Sequence, residues 1–112
     1  MSKAYYQGRP PLWQLIQQEC PDWTKEECQL AADKLARCHR DILYRCKNPE
    51  HRGYERYGGR GITVCAEWAD AGTGAVAFVR WALGAGWELE LEIDRRDNDG
   101  NYEPDNCRWV TH

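Results

Sequence analysis

Asp94 and Asn106 bracket the segment of this chain that is richest in groups able to do chemistry. Between them lie Arg95, Arg96, Asp97, Asn98, Asp99, Gly100 and Asn101, followed by Tyr102-Glu-Pro-Asp105. Carboxylate and amide oxygens carried on a strand–loop–strand suit a hard cation such as Mg²⁺ or Ca²⁺. The run Asp97-Asn-Asp-Gly-Asn101 holds part of a calcium-loop pattern, but it reads better as a tight turn. In such a turn Asp and Asn bond their own backbone, and Gly100 is expected to supply a positive φ. Asp94 with Asn106 is therefore the pair of interest, and Asp94 is the candidate Mg²⁺ ligand.

Two other constellations stand out. Six cysteines occupy positions 20, 28, 38, 46, 65 and 107 without any C-x-x-C pair. Most read as small, buried, reduced apolar residues. The best candidate set for a structural Zn²⁺ is Cys46-x4-His51 with Cys65 and Cys107. The second constellation is the glycine-rich stretch 47–61, where Arg52, Arg56 and Arg60 alternate with Tyr54 and Tyr57. Arg reaches phosphates, Tyr stacks or hydrogen-bonds, and Gly lets backbone approach a ligand. With Lys47 at its start, Arg45 before it, and Arg95, Arg96 and Arg108 after it, this stretch supplies candidate contacts to nucleic acid. The alternative of equal weight is a surface loop whose tyrosines lie back on the core.

The elements that must position these groups are legible in outline. Pro10-Pro11 can open a helix over 12–19, which Pro21 stops. Thr24-Lys-Glu-Glu27 is a capping box, with Trp23 and Cys28 placed to staple the helix start. Beyond it Cys28, Ala31, Leu35, Cys38, Ile42 and Cys46 recur every three or four residues, predicting one apolar helix face over about 25–46 that ends before Asn48-Pro49. The opposite face carries Lys34, Arg37, Arg40, Asp41 and Arg45. Ile62–Cys65 reads as a short strand, and 66–72 as a connection anchored by Trp68. Residues 74–84 read as a helix capped by Thr73 and ended by Gly84 and Gly86. Residues 87–94 alternate strictly, predicting a strand with Leu89, Leu91 and Ile93 on one side and an acidic row, Glu88, Glu90 and Glu92, on the other. Cys107–Thr111 reads as the closing strand.

Composition bounds the class. The 112 residues, 42% of them hydrophobic and with six Trp, can fill the core of one domain. No apolar run approaches the roughly 18 residues of a transmembrane helix. The first ten residues hold no apolar stretch of the kind that directs secretion, so the expected location is cytoplasmic. The net charge of −3 is unevenly spread: the basic stretch 34–60 holds eight Lys/Arg against three acids, whereas residues 66–112 hold ten acids against four Arg. A nucleic-acid binder of this composition works through a local patch.

Four ordered motifs carry a family resemblance. These are Arg45-Cys-Lys-Asn-Pro49, Tyr57-Gly-Gly-Arg-Gly-Ile-Thr-Val-Cys-Ala-Glu-Trp68, Phe78-Val-Arg-Trp81, and the long run Ile93–Thr111. Over residues 40–111 the chain resembles a family of small bacteriophage proteins described as HNH-endonuclease-like, sometimes with an AP2-type DNA-binding label. Residues 1–39 form a helical N-terminal extension outside the similarity. The resemblance implies a phage or prophage origin, residence in a host bacterial cell and an association with DNA. It places Asp94 at the metal-binding Asp of such nucleases and Asn106 at the middle Asn, with Mg²⁺ or Mn²⁺ as the cation. Arg95 stands where the general-base His belongs, and the chain stops at His112, where a final helix bearing the last ligand would follow. An Arg with a pKa above about 12 does not accept a proton near neutrality.

The resulting expectation is a single α+β domain, with N-terminal helices packed on a small antiparallel sheet and an incomplete ββα, HNH-like finger. The expected function is that of a catalytically impaired DNA-associated protein. It would bind DNA, or a DNA-processing protein (a host-defence protein among them) through Glu88, Glu90 and Glu92. The alternative is a metal-dependent DNA nicking endonuclease using Asp94 and Asn106.

Overall fold

A computed structural model describes residues 10–112. Within them, four α-helices accompany a two-stranded antiparallel sheet: α1 (Leu12–Glu19), α2 (Lys25–Lys47), α3 (Ala66–Ala69), α4 (Gly74–Gly84), β1 (Glu92–Arg95) and β2 (Cys107–Val110). The fold is α+β, as the sequence predicts.

The organising element is α2. The Thr24 side chain accepts a hydrogen bond from the Glu27 N–H at 3.0 Å, and the Thr24 N–H donates to Glu27 Oε1 at 2.8 Å. Two of the first-turn donors of the helix are thereby satisfied. The apolar stripe then buries Cys28, Ala31, Ala32, Leu35, Ile42 and Cys46, with His39 among them. Leu35, Ile42 and Phe78 are wholly excluded from water. Each contributes about 1.5–3 kcal/mol of hydrophobic stabilisation by area. His39 is the one polar member of the stripe, and its Nε2 pairs with the Trp68 carbonyl at 2.6 Å while its ring packs on Phe78. Against this face lie α1 and α4, and an aromatic cluster of Trp68, Phe78, Trp81 and Trp109 joins α3 and α4 to β2.

Four local expectations are corrected. Ile62–Cys65 forms no strand: Val64 makes a single parallel bridge to Tyr102, and Cys65 is already the N-cap of α3. The Thr73 side chain does not cap α4. The Asp70 carboxylate instead accepts from the N–H groups of Gly72 and Thr73 and from the Thr73 hydroxyl. Those bonds hold the Asp70 carboxyl below its usual range. The strand predicted over 87–94 is formed only over its last residues. After α4 the Trp87 N–H turns back to the Ala82 carbonyl, and the Leu91 N–H bonds the Glu88 carbonyl in a further turn. Trp87 is consequently buried against Trp23, whereas Leu89 stands 45% exposed. Glu88, Glu90 and Glu92 are all exposed, but Glu88 and Glu90 do not belong to a strand face. Finally, Gly100 does not adopt a positive φ; among the described glycines Gly61 and Gly86 do.

Candidate functional site

The hairpin β1–β2 brings the two sequence-predicted catalytic residues close in the fold but gives them separate tasks. In the register Asp94 faces Arg108 across the sheet, and Arg108 Nε donates to the Asp94 carboxylate at 2.9 Å. Both side chains are about half exposed, at 40% and 46%. Asn106 is buried at the end of a 3₁₀ turn, Pro104–Asn106. Its Oδ1 accepts from the Asp97 N–H at 2.9 Å, and its Nδ2 donates to the carbonyls of Asp97 (3.1 Å) and Asn101 (3.0 Å). Both amide protons are thereby spent on the loop backbone, so Asn106 shapes the loop. Gly100 is required beside it, because a Cβ there would sit 2.7 Å from Asn106 Nδ2. The Asp97–Asn101 run is the tight turn expected: Gly100 N–H bonds the Asp97 carbonyl, and the Asp97 carboxylate accepts from the Asp99 N–H.

Arg95 folds over the same loop. Its Nη1 donates to the carbonyls of Asn98 (2.6 Å) and Gly100 (2.8 Å), and its guanidinium lies over the rings of Tyr57 and Tyr102. Arg45 approaches the same two rings from α2. It stacks on Tyr57 and donates to the Tyr102 hydroxyl at 2.9 Å, while its other nitrogen pairs with Asp41. Burial pushes the Tyr102 phenol up to about 12, even though Arg45 beside it acts in the opposite sense. This interleaved pair of Arg and pair of Tyr locks α2, the 54–61 loop and the hairpin together. Tyr57 thus lies back on the core.

The glycine-rich loop also spends its close approach inside the molecule. A Cβ on Gly58 would stand 2.2 Å from the Cys46 carbonyl oxygen. Glycine therefore lets the loop press against the last turn of α2. Arg60 pairs with Asp99 at 2.5 Å and donates to the Asn98 carbonyl, tying this loop to the hairpin. Of the nine residues expected to touch nucleic acid, Arg45, Tyr57, Arg60, Arg95 and Arg108 are thus engaged within the fold. Lys47, Arg52, Arg56 and Arg96 are exposed and have no side-chain partner among the described residues.

The candidate zinc set is not assembled. His51 Nε2 lies 3.1 Å from the Asp41 carboxylate, and its Nδ1 accepts from the Gly53 N–H at 2.9 Å. That geometry places the imidazole proton on Nε2. Burial pushes the Cys107 thiol up to about 11 and raises those of Cys46 and Cys65 as well. Among the described residues no three His, Cys, Asp or Glu side chains form a group able to hold a metal ion. Burial alone would raise the Asp41 carboxyl, but the hydrogen bonds from Arg45 and His51, with the Arg45 charge, outweigh it and hold it below its usual range. His112 pairs with Glu92 at 2.7 Å.

Beyond Lys47, the candidate contacts read from the sequence left out the outer face of α2. Arg37, Arg40, Tyr44 and Lys47 follow one another at three- and four-residue steps, which puts them on one side of the helix. They line an open hollow of about 530 Å³. The three cations are exposed and unpaired among the described residues, and Tyr44 is 54% exposed with the edge of its ring against His51. The one acid in this hollow, Asp41, is already paired with Arg45 and hydrogen-bonded to His51. The signal was present in the sequence as the charged side of the predicted helix, but sequence alone did not show that Arg45 turns inward while Arg37, Arg40 and Lys47 stay exposed around Tyr44.

No helix among the described residues is long and apolar enough to cross a membrane. No protein-family model, curated protein or solved structure matches this chain.

Proposed function

We propose that this chain is a nucleic-acid-binding domain that grips the phosphate backbone with the outer face of α2, and that its HNH-like hairpin serves as a scaffold. The observation that carries this reading is the stripe Arg37, Arg40, Tyr44, Lys47: three cations, unpaired among the described residues, around a half-exposed aromatic ring on one helix face. Cations without intramolecular partners are free to replace counterions on phosphates, and a ring between them can stack on a base. Arg52 and Arg56, in the loop that follows, are exposed cations as well.

The resemblance to phage HNH-like proteins supports DNA as the nucleic acid and the cytoplasm of a host bacterium as the setting. The nicking reading draws on that resemblance alone. Asp94 is held by Arg108, Asn106 is consumed by loop carbonyls, and Arg95 is folded onto the turn. A purely structural role for zinc, with no nucleic-acid binding, has no assembled ligand set to rest on.

The test is a fluorescence-anisotropy titration of a labelled DNA duplex at several salt concentrations. With three to five phosphate contacts, log K should fall against log[salt] with a slope of about −2.7 to −4.5, or roughly 40- to 500-fold between 50 and 200 mM. A slope near zero, or no binding at 50 mM salt, would refute the proposal. Plasmid nicking with Mg²⁺ or Mn²⁺ that Asp94→Ala abolishes would replace the scaffold role with catalysis.

A further inference from the structure

On the side of α2 turned toward residues 87–93, two adjoining hollows of about 260 and 890 Å³ form one groove. They share Leu30, Trp87 and Leu89 in their walls. Leu30 and Leu89 are 44% and 45% exposed, so two of the three exposed large apolar side chains among the described residues belong to this groove. Leu91, Ile93 and Trp109 continue its apolar wall. The rim is acidic: Glu27, Glu88, Glu90 and Glu92 are all exposed along it, with Lys34 as the exposed cation. Glu88 and Glu90 have no ion-pair partner among the described residues.

We infer that this groove docks a basic amphipathic helix of a partner protein. Exposed leucines joined in one concave patch are the mark of an interaction surface, and the glutamates around them select for Lys and Arg flanking the apolar stripe of the occupant. The dimensions fit. From Glu27 to Arg45 the lining residues of α2 run about 27 Å at the helical rise of about 1.5 Å per residue. A helix of about 18 residues matches that length. An added β-strand fits less well, because residues 87–91 turn and offer no continuous strand edge. The groove is separate from the Arg37–Lys47 stripe, so this inference stands whether or not that stripe holds nucleic acid.

The experiment is isothermal titration of the full chain with three designed 18-residue peptides. One is a Leu/Lys amphipathic helix, the second has the same composition scrambled to destroy amphipathicity, and the third is a Leu/Glu amphipathic helix. The Leu/Lys helix should bind in the micromolar range, at least tenfold more tightly than either control. Leu89→Ser and Glu88→Lys/Glu90→Lys should each weaken it at least tenfold; both change exposed residues, and an unaltered circular-dichroism melt shows that the fold is kept. Equal binding of the scrambled peptide, or undiminished binding to both variants, overturns the inference. So does a concentration-dependent dimer that Leu89→Ser dissociates, since a second copy would then be the occupant.

Discussion

Replacing Asn106 with Asp changes one atom type and should convert a pH-insensitive loop into a pH-sensitive one. The side chain at 106 makes three hydrogen bonds: one as acceptor from the Asp97 N–H, and two as donor to the Asp97 and Asn101 carbonyls. An ionised Asp keeps the first and loses both of the others. It also sets its negative charge against two carbonyl oxygens in a buried position. Two lost bonds at about 1 kcal/mol each, plus the cost of an uncompensated charge–carbonyl contact, bring the loss at pH 7 to about 3–5 kcal/mol. The protonated acid can donate to one of those carbonyls, so at pH 3 the loss shrinks to about 1 kcal/mol. The folded pKa of the introduced carboxyl is therefore raised above its unfolded value of about 3.9. A group raised in the folded state has its stability fully present below the unfolded pKa and loses it as pH rises through the folded value. Relative to the parent, Asn106→Asp should be nearly normal at pH 3 and fall behind by a further 2–4 kcal/mol or so as pH rises to 7, about 8–16 °C in melting temperature for a domain of this size. Asn106→Ala, which cannot ionise, should be destabilised by about the same amount at every pH. Urea unfolding of the three proteins from pH 3 to 7 reads this directly. A constant difference between Asn106→Asp and the parent, or one below about 0.5 kcal/mol at pH 7, would refute the role of Asn106 as loop organiser.

Two further predictions rest on the same packing. Gly58→Ala drives a methyl group into the Cys46 carbonyl and should cost at least about 1–3 kcal/mol by chemical denaturation. A cost below 0.5 kcal/mol or so would mean that the loop does not press on α2 as described. Asp41, depressed by Arg45 and His51 despite its burial, contributes stability above its unfolded pKa of about 3.9 that is lost as pH falls through the folded value. Because the carboxylate is 41% exposed, its share is about 1 kcal/mol or less. Asp41→Asn should flatten the acid limb of stability between about pH 2 and 5, and an unchanged acid limb would count against the Asp41–Arg45–His51 cluster.

Local rules with a closed chemical logic were readable from the sequence. The Thr24–Glu27 box satisfies its own donors, so the start of α2 needed no tertiary information, and the periodic face from Cys28 to Cys46 was buried as its spacing required except at Cys38, which is half-buried while His39 beside it turns inward. The alternation over 87–94 misled because a strand exists only where it has a partner. β2 offers four residues, and the turn after α4 uses Trp87 as a core side chain. The cation set misled for a related reason. Sequence reveals an Arg but not its partner, and the tyrosines, carbonyls and carboxylates that absorb Arg45, Arg60, Arg95 and Arg108 come from distant segments. Asp94 and Asn106 were correctly placed on one hairpin, yet their employment by Arg108 and by the loop backbone depends on register, which residue types alone do not specify.

The central claim is that nucleic acid meets the outer face of α2, with the hairpin and its cations left as scaffold. Two charge reversals of equal size separate the alternatives: Arg37→Glu/Arg40→Glu on the helix stripe, and Arg96→Glu/Arg108→Glu on the hairpin. Measured by anisotropy on one DNA duplex at fixed salt, the first should weaken binding by more than tenfold and reduce the salt slope by about 2. The second should leave the slope nearly unchanged. The reverse pattern would place the nucleic acid on the hairpin and contradict the account.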